Sequence, residues 1–192
     1  NYILSIIDSQ DVEIQQTLLR VLGALWKQSF ITIFPKMIEF VHSENSDLQK
    51  LAQKILVNMG LQDPKLLVSK LVIEPDTESF IKRGKISDTI IKIAKSNSKR
   101  VIPIMIENIS SDKEFVRLNV ATVLSELSSI YPEDIPLEVI VNQWSKEEKI
   151  KVSKELTNCI SNISNKDPIK FKKHLNQILD TFSKSNSTLR LI

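Results

Sequence analysis

The chain has 192 residues, of which 42% are hydrophobic and 26% are charged, and its formal net charge is +3. This balance excludes a wholly disordered chain, and the scarcity of glycine (3 residues) argues against an all-β protein. The single cysteine, Cys159, cannot form an internal disulfide, so we expect an intracellular, cytoplasmic protein. No apolar run approaches the roughly 18–20 residues that a membrane-spanning helix needs, so no membrane insertion is expected.

A pattern of apolar residues recurs along the chain at a nearly constant interval. Apolar side chains lie at offsets 0, 4, 7, 8 and 11 from an anchor, which is one stripe of an α-helix. The anchors are 34 to 37 residues apart and comprise Ile14, Leu48, Lys82, Val116, Val152 and Leu189. The copy at Lys82 is degenerate, because Lys82 and Thr89 are not apolar, and the last copy is truncated. The pattern predicts helices, termed second helices below, near 11–27, 47–60, 78–96, 114–130, 149–164 and 188–192.

Another helical stretch precedes each second helix after the first copy. These first helices are predicted near 30–42, 64–72, 99–110, 134–144 and 168–182. Asp63 before Pro64, and Asp167 before Pro168, place an N-cap ahead of a proline at the first helical position. The spacing of Ser111 and Glu114 predicts a capping box at the start of the fourth second helix.

Each copy is therefore a helical hairpin, which cannot bury its apolar face alone. Stacking consecutive hairpins produces a continuous core. We predict an all-α fold, a right-handed α-α superhelix in which residues 1–192 form a single solenoid of about six helical hairpins. Because the last copy is truncated, we expect the chain to be a fragment of a longer array. An exposed repeat end would then offer a surface for self-association.

The repeat resembles those of HEAT- and armadillo-type proteins. The resemblance is carried by anchors followed by a polar residue (Ile14-Gln15, Leu48-Gln49, Val116-Arg117 and Leu189-Arg190) and by prolines inside first helices, at Pro35 and Pro103, which are expected to kink or shorten those helices. The interval is shorter than the ~40–47 residues usual for these families, and tetratricopeptide signatures are absent. The resemblance implies that Arg83, Arg117 and Arg190 form a ladder with turn residues of adjacent repeats. It also implies that partners bind the concave face, which the second helices line.

No residue pattern in the sequence indicates catalysis. His42 and His174 lack further ligands at metal-binding spacing, so we predict no metal site and expect both histidines to be solvated. Cys159 occupies an apolar stripe position, which favours a buried thiol over a nucleophile. A relation to HEAT-like alkylpurine DNA glycosylases would require aromatic residues in a basic groove, and Trp26 and Trp144 lie several repeats apart. We therefore predict a protein that is not an enzyme and needs no cofactor.

The surface opposite the apolar stripe is the candidate for partner binding. Offsets 2, 6 and 9 point away from the stripe, and the candidate residues at these offsets are Lys50, Lys54, Val57, Ile91, Leu118 and Lys154. An apolar centre formed by Val57, Ile91 and Leu118 with a basic rim would suit an acidic, amphipathic peptide. Alternatively, these three side chains pack against neighbouring repeats. The predicted function is a protein–protein interaction scaffold or adaptor.

A basic segment at 81–100 supports a second hypothesis, nucleic-acid binding. Its cations are Lys82, Arg83, Lys85, Lys92, Lys95, Lys99 and Arg100. Such a cluster would contact phosphates. However, the acidic residues of 101–150 interrupt any long basic stripe, and aromatic side chains that could stack on bases are scarce. Protein binding is therefore the first hypothesis.

Overall fold

The computed structural model describes residues 11–73 and 80–184, with the backbone alone at 80–83, 177 and 180–184. These residues form nine α-helices and one short 3₁₀-helix and contain no strand, which confirms the predicted all-α fold class. The helices are α1 (Val12–Leu25), α2 (Phe30–Val41), α3 (Ser46–Gln62), α4 (Pro64–Val72), α5 (Phe80–Asn108), α6 (Glu114–Ser128), η1 (Pro132–Asp134), α7 (Leu137–Lys146), α8 (Ile150–Lys166) and α9 (Pro168–Lys184). None of the described helices is long and apolar enough to cross a membrane.

The chain divides into two compact units, Asn1–Leu67 and Val68–Ile192. The described part of the first unit contains α1 to α3, and that of the second contains α5 to α9, while α4 spans the boundary. The prediction of one continuous solenoid over 1–192 therefore stays a prediction. The truncated copy at Leu189 lies outside the described residues.

The predicted alternation of first and second helices is present in the described residues. The second helices are α1, α3, the start of α5, α6 and α8. The helix α5 contains a second helix and the following first helix, joined at Asn97, whose φ of −144° and ψ of 41° are not helical. The break in helical dihedrals thus lies at Asn97, between the two helices, and Pro103 sits inside the helix that follows.

In the second unit, the helices α6 and α8 lie parallel and in contact. The Cys159 thiol donates a hydrogen bond to the Leu124 carbonyl (3.6 Å), and the Asn162 amide donates to the Ser125 carbonyl (2.9 Å). Residue numbers therefore increase in the same direction along both helices from one contact to the next, as in a parallel pair. The predicted stripe of α6 is almost wholly buried and comprises Val116, Val120, Val123, Leu124 and Leu127. The same holds for the α8 residues Val152, Leu156, Cys159 and Ile163.

Polar side chains join the hairpins of the second unit. The Lys170 ammonium at the start of α9 donates to the carbonyls of Pro132 (2.8 Å) and Ile135 (2.5 Å), in the turn before α7. The predicted N-cap of α9 is confirmed, because Asp167 Oδ1 accepts the Lys170 N–H at 3.0 Å. The predicted capping box at Ser111 is wrong. Lys113 occupies the N-cap position of α6 without a side-chain hydrogen bond to the helix, and the Ser111 hydroxyl accepts the N–H of Lys113.

In the first unit, α1 packs closely against α3. A Cβ atom added at Gly23 would lie 2.7 Å from Ile55 Cγ2, so the two helices approach too closely there for a larger residue. The register of α1 differs from the prediction, since Leu19, Leu22 and Trp26 are buried whereas Ile14 is 41% exposed. The close approach at Gly23 and an edge contact between the rings of Trp26 and Phe30 (6.2 Å) favour this rotation of the helix.

Candidate functional site

The outward surface of three consecutive second helices forms a groove in the second unit. The groove has a volume of about 460 Å³ and crosses α5, α6 and α8. Its lining residues are Gly84, Ser87, Asp88, Ile91, Leu118, Thr122, Glu126, Lys151, Lys154 and Glu155. The structure thus brings together three of the six residues predicted to bind a partner, namely Ile91, Leu118 and Lys154.

The floor of the groove is apolar and its depth comes from small residues. Ile91 is 6% exposed and Leu118 is 7% exposed, so both pack in the core and present only an edge to the groove. A Cβ atom at Gly84 would meet no atom within 4 Å, which shows that the space above this residue is open. The Thr122 hydroxyl donates to the Leu118 carbonyl (2.9 Å) and so has its hydrogen bond within its own helix.

The charged residues of the groove are separated along the helices. Lys151 and Lys154 lie in the first turns of α8, whereas Glu126 lies near the C-terminus of α6. Because α6 and α8 are parallel, the basic pair lies near the level of Leu118, about 12 Å from Glu126 at 1.5 Å per residue. The helix dipoles have the same polarity, positive at the basic end and negative at the acidic end.

The sequence predicted a basic rim, and the groove does not have one. Its carboxylates are Asp88, Glu126 and Glu155, against the two lysines of α8. Asp88 forms an ion pair with Lys92 (2.8 Å) outside the lining set. Glu126, Lys151 and Glu155 were missed because they lie at offsets other than 2, 6 and 9.

The other three predicted partner-binding residues lie on α3 in the first unit. Lys50 and Lys54 are exposed there and Val57 is half-buried. Their spacing of four and three residues places them along one face of α3. They do not line the groove.

The basic segment at 81–100 lies on both sides of the Asn97 kink. The side chains of Lys82 and Arg83 lie outside the described residues; Lys85 is half-buried, and Lys92 is paired with Asp88. Three further cations are exposed, namely Lys95, Lys99 and Arg100. The Ser98 hydroxyl donates to Asp134 at 2.9 Å, which brings a carboxylate of the acidic region against this segment.

A buried ion pair joins the turn before α6 to the turn before α8. Arg117 Nε and Nη2 donate to the two carboxylate oxygens of Glu147 at 2.8 and 3.1 Å. Arg117 Nη1 donates to the carbonyls of Ser111 (2.8 Å) and Asp112 (3.2 Å). The ladder implied by the HEAT resemblance is thus present at Arg117, whereas the side chain of Arg83 and all of Arg190 lie outside the described residues.

Burial and hydrogen bonding act in opposite directions on Glu147, whose side chain is only 2% exposed. Burial alone would raise the pKa of this carboxyl. The hydrogen bonds from Arg117 and from the N–H of Lys149, with the Arg117 charge, hold its pKa below the usual value of 4.5. The same hydrogen bond raises the pKa of Arg117. Glu147 is therefore a structural partner of Arg117 and of the start of α8.

The cysteine, histidine and tryptophan side chains among the described residues are all buried or half-buried. Burial raises the pKa of the Cys159 thiol to about 12, so the thiol is protonated at neutral pH. The histidines His42 and His174 are half-buried and so less exposed than predicted. Trp26 and Trp144 are buried, which leaves neither indole as an exposed platform. Within residues 11–73 and 80–184, no three His, Cys, Asp or Glu side chains converge as a metal site would require.

Comparisons with known proteins identify the fold. No family model and no curated protein sequence matches the chain. A solved structure of a microtubule polymerase with TOG domain arrays, described for its tubulin recruitment, is 14% identical, with a TM-score of 0.51 over 96% of this chain and 46% of that chain. A designed armadillo repeat protein is 16% identical, with a TM-score of 0.41 over 99% of this chain and 94% of that chain. An engineered protein is 17% identical, with a TM-score of 0.37 over 99% of this chain and 91% of that chain.

The likeness to the TOG arrays extends to the fold alone. It shows that the chain has a HEAT/armadillo-like helical-repeat fold, and the predicted resemblance is confirmed at that level. The chain spans less than half the length of that neighbour.

Proposed function

We propose that this protein is a non-catalytic protein–protein interaction module, a scaffold or adaptor, that binds a partner segment in the groove across α5, α6 and α8. The observation that carries the proposal is a groove of about 460 Å³ with an apolar floor and charged ends. A space of this size accepts a few side chains from one face of a peptide.

The rest of the second unit supports this role. Asn162 joins α8 to α6, the Arg117–Glu147 pair joins α6 to the turn before α8, and the Tyr131 hydroxyl after α6 donates to the Lys95 carbonyl of α5 (3.1 Å). These contacts hold the three helices that line the groove as a prepared surface. A prepared surface lowers the entropic cost of binding. The neighbour built from TOG domains is described as recruiting tubulin, so a fold of this class can serve as a protein-binding surface.

The test compares capture of a partner from a lysate by three forms of the tagged protein. The first is the natural chain, the second carries Gly84→Trp, which places an indole in the groove, and the third carries Gly84→Ala. The alanine is the matched control, because its Cβ meets no atom within 4 Å. We expect the natural protein and Gly84→Ala to retain a partner that Gly84→Trp binds at least about tenfold more weakly. Equal recovery by all three forms would contradict the proposal.

Nucleic-acid binding through the basic segment is the alternative, and the same experiment addresses it with nuclease treatment and one further variant. Replacing Lys95, Lys99 and Arg100 by Glu reverses three exposed cations of the segment, apart from the Lys92 that pairs with Asp88, and changes no lining residue of the groove. Recovery of nucleic acid that this variant abolishes and Gly84→Trp leaves unchanged would establish the alternative.

A further inference from the structure

We infer that the groove selects a partner segment with an acidic side chain at one end, apolar side chains in the middle and a basic side chain at the other end. This inference rests on the proposed function and specifies its partner. The sequence predicted an acidic partner, because basic residues outnumber acidic ones at offsets 2, 6 and 9, where Asp88 is the one carboxylate.

The middle of the segment is specified by the groove floor. Ile91 and Leu118 present apolar edges, while Gly84 and Thr122 leave space above them. A leucine-sized side chain fits such a space and removes the two apolar edges from water. The Thr122 hydroxyl already donates its hydrogen within its own helix, so the apolar edges of Ile91 and Leu118 dominate this part of the floor.

The two ends are specified by charge. Among the described residues, Glu126, Lys151 and Lys154 form no ion pair, so each is available to a partner. An acidic side chain fits beside the two lysines, and a basic side chain fits beside Glu126. The charged ends are about 12 Å apart, which is close to the roughly 10.5 Å rise of a helical segment between residues i and i+7. The dipoles of α6 and α8 reinforce both preferences.

The same charges exclude other partners. A segment that is acidic at both ends would place a carboxylate against Glu126, and one that is basic at both ends would place an ammonium against Lys151 and Lys154. Like charges in contact weaken binding and so contribute to specificity. A nucleic-acid backbone is disfavoured in the groove by the carboxylates of Asp88, Glu126 and Glu155.

Three fluorescein-labelled helical peptides test the inference. They share one length and one leucine face and differ only at positions i and i+7, which are Glu and Lys, Glu and Glu, or Lys and Lys. Fluorescence anisotropy at low salt measures the Kd of each peptide. We expect the mixed peptide to bind about fivefold more tightly than either of the others, with the preference weakening at high salt.

Charge reversal in the protein should reverse the preference. Glu126→Lys should bind the Glu–Glu peptide best, and the double variant Lys151→Glu/Lys154→Glu should bind the Lys–Lys peptide best. All three replaced side chains are exposed, so both variants should fold, which thermal melting checks. A preference that follows the protein's charges supports the inference.

The outcomes separate this inference from the proposed function. Equal binding of the three peptides, abolished by Gly84→Trp, would overturn the charge selection and leave the groove as the binding site. Peptide binding that Gly84→Trp does not change would overturn both. If the mixed peptide shows no saturable binding below about 1 mM, the inference is wrong, and the lysate capture decides the proposed function by itself.

Discussion

The two units join consecutive second helices by different kinds of contact, apolar packing in the first and polar side chains in the second. In the first unit, α1 and α3 meet where Gly23 leaves room for Ile55, and aromatic rings pack beside that contact. In the second unit, polar side chains reach from one hairpin to the next, including a buried ion pair between Arg117 and Glu147 and an amide hydrogen bond from Asn162. Both units nevertheless bury an apolar stripe with a helical period.

This difference shows that the apolar stripe and the contacts between repeats carry separate information. Apolar burial is non-directional, so it stabilises a stack without setting the level of one helix against the next. Hydrogen bonds and ion pairs are directional, so they fix that level. The unit with the polar contacts is the one whose groove requires residues from three helices to stay in register.

The largest effect should come from placing a charge in the apolar stripe, which both units share. Leu56 and Leu124 occupy the same repeat position and are each 0% exposed. Replacing either by Asp should lower the free energy of unfolding by more than about 4 kcal/mol, because a buried carboxylate would lack a partner. Fluorescence-monitored denaturation reports each unit separately, through Trp26 in a Trp144→Phe background and Trp144 in a Trp26→Phe background. An unchanged midpoint for Leu124→Asp would contradict the repeat register.

A smaller effect should distinguish the polar contacts of the second unit from surface charges of the first. Arg117→Met leaves the Glu147 carboxylate buried without its cation and should cost about 3 kcal/mol. Lys36→Met removes the half-buried partner of Glu39, whose side chain is 61% exposed, and should cost less than about 0.5 kcal/mol. Urea denaturation measures both losses of unfolding free energy. Equal losses for the two variants would contradict the claim that the buried Arg117–Glu147 pair is the stronger contact.

The cost of Arg117→Met should also depend on pH. In the natural protein the pKa of Glu147 is depressed, so its stabilising contribution is present above the usual 4.5 and is lost as pH falls through the lower folded pKa. The variant lacks the charge and the hydrogen bonds of Arg117, so burial raises the pKa of Glu147. The difference in stability between the two proteins should therefore be largest near neutral pH and shrink below 4.5. A constant difference would contradict this assignment.

The smallest effect should come from a single methyl group and should differ in sign between two glycines. Gly23→Ala forces a Cβ against Ile55 and should cost about 1 kcal/mol, whereas Gly84→Ala enters open space and should stabilise its helix by up to about 1 kcal/mol. Truncating the neighbour by Ile55→Ala should make Gly23→Ala favourable as well. Identical effects at the two glycines in thermal melts would contradict the close approach of α1 and α3.

Periodicity predicted the stripe from the second copy to the fifth, because burial of an amphipathic helix depends on its own residues. The resemblance to HEAT-type repeats predicted that Arg117 contacts turn residues of an adjacent repeat. The rotation of α1 could not be predicted, since it depends on the helix that Gly23 approaches. The burial of Glu147 depends likewise on a partner 30 residues away.

The candidate groove was predictable only in part. Offsets from the stripe correctly placed Ile91, Leu118 and Lys154 on one surface. They could not show that small neighbours make that surface concave, nor that Glu126 and Lys151 reach it from the flanks of their helices. These features depend on the distance and level between helices, which the spacing of apolar residues along one helix does not specify.

Site-specific photo-cross-linking tests most directly that this groove is the interaction surface. A benzoylphenylalanine replaces either Thr122, which lines the groove, or Thr157, which does not. The two threonines are matched, because each hydroxyl donates to a carbonyl four residues earlier in its own helix (2.9 and 2.8 Å). We predict that the partner retained by the natural protein cross-links strongly from position 122 and weakly from 157. Equal cross-linking, or stronger cross-linking from 157, would contradict the account.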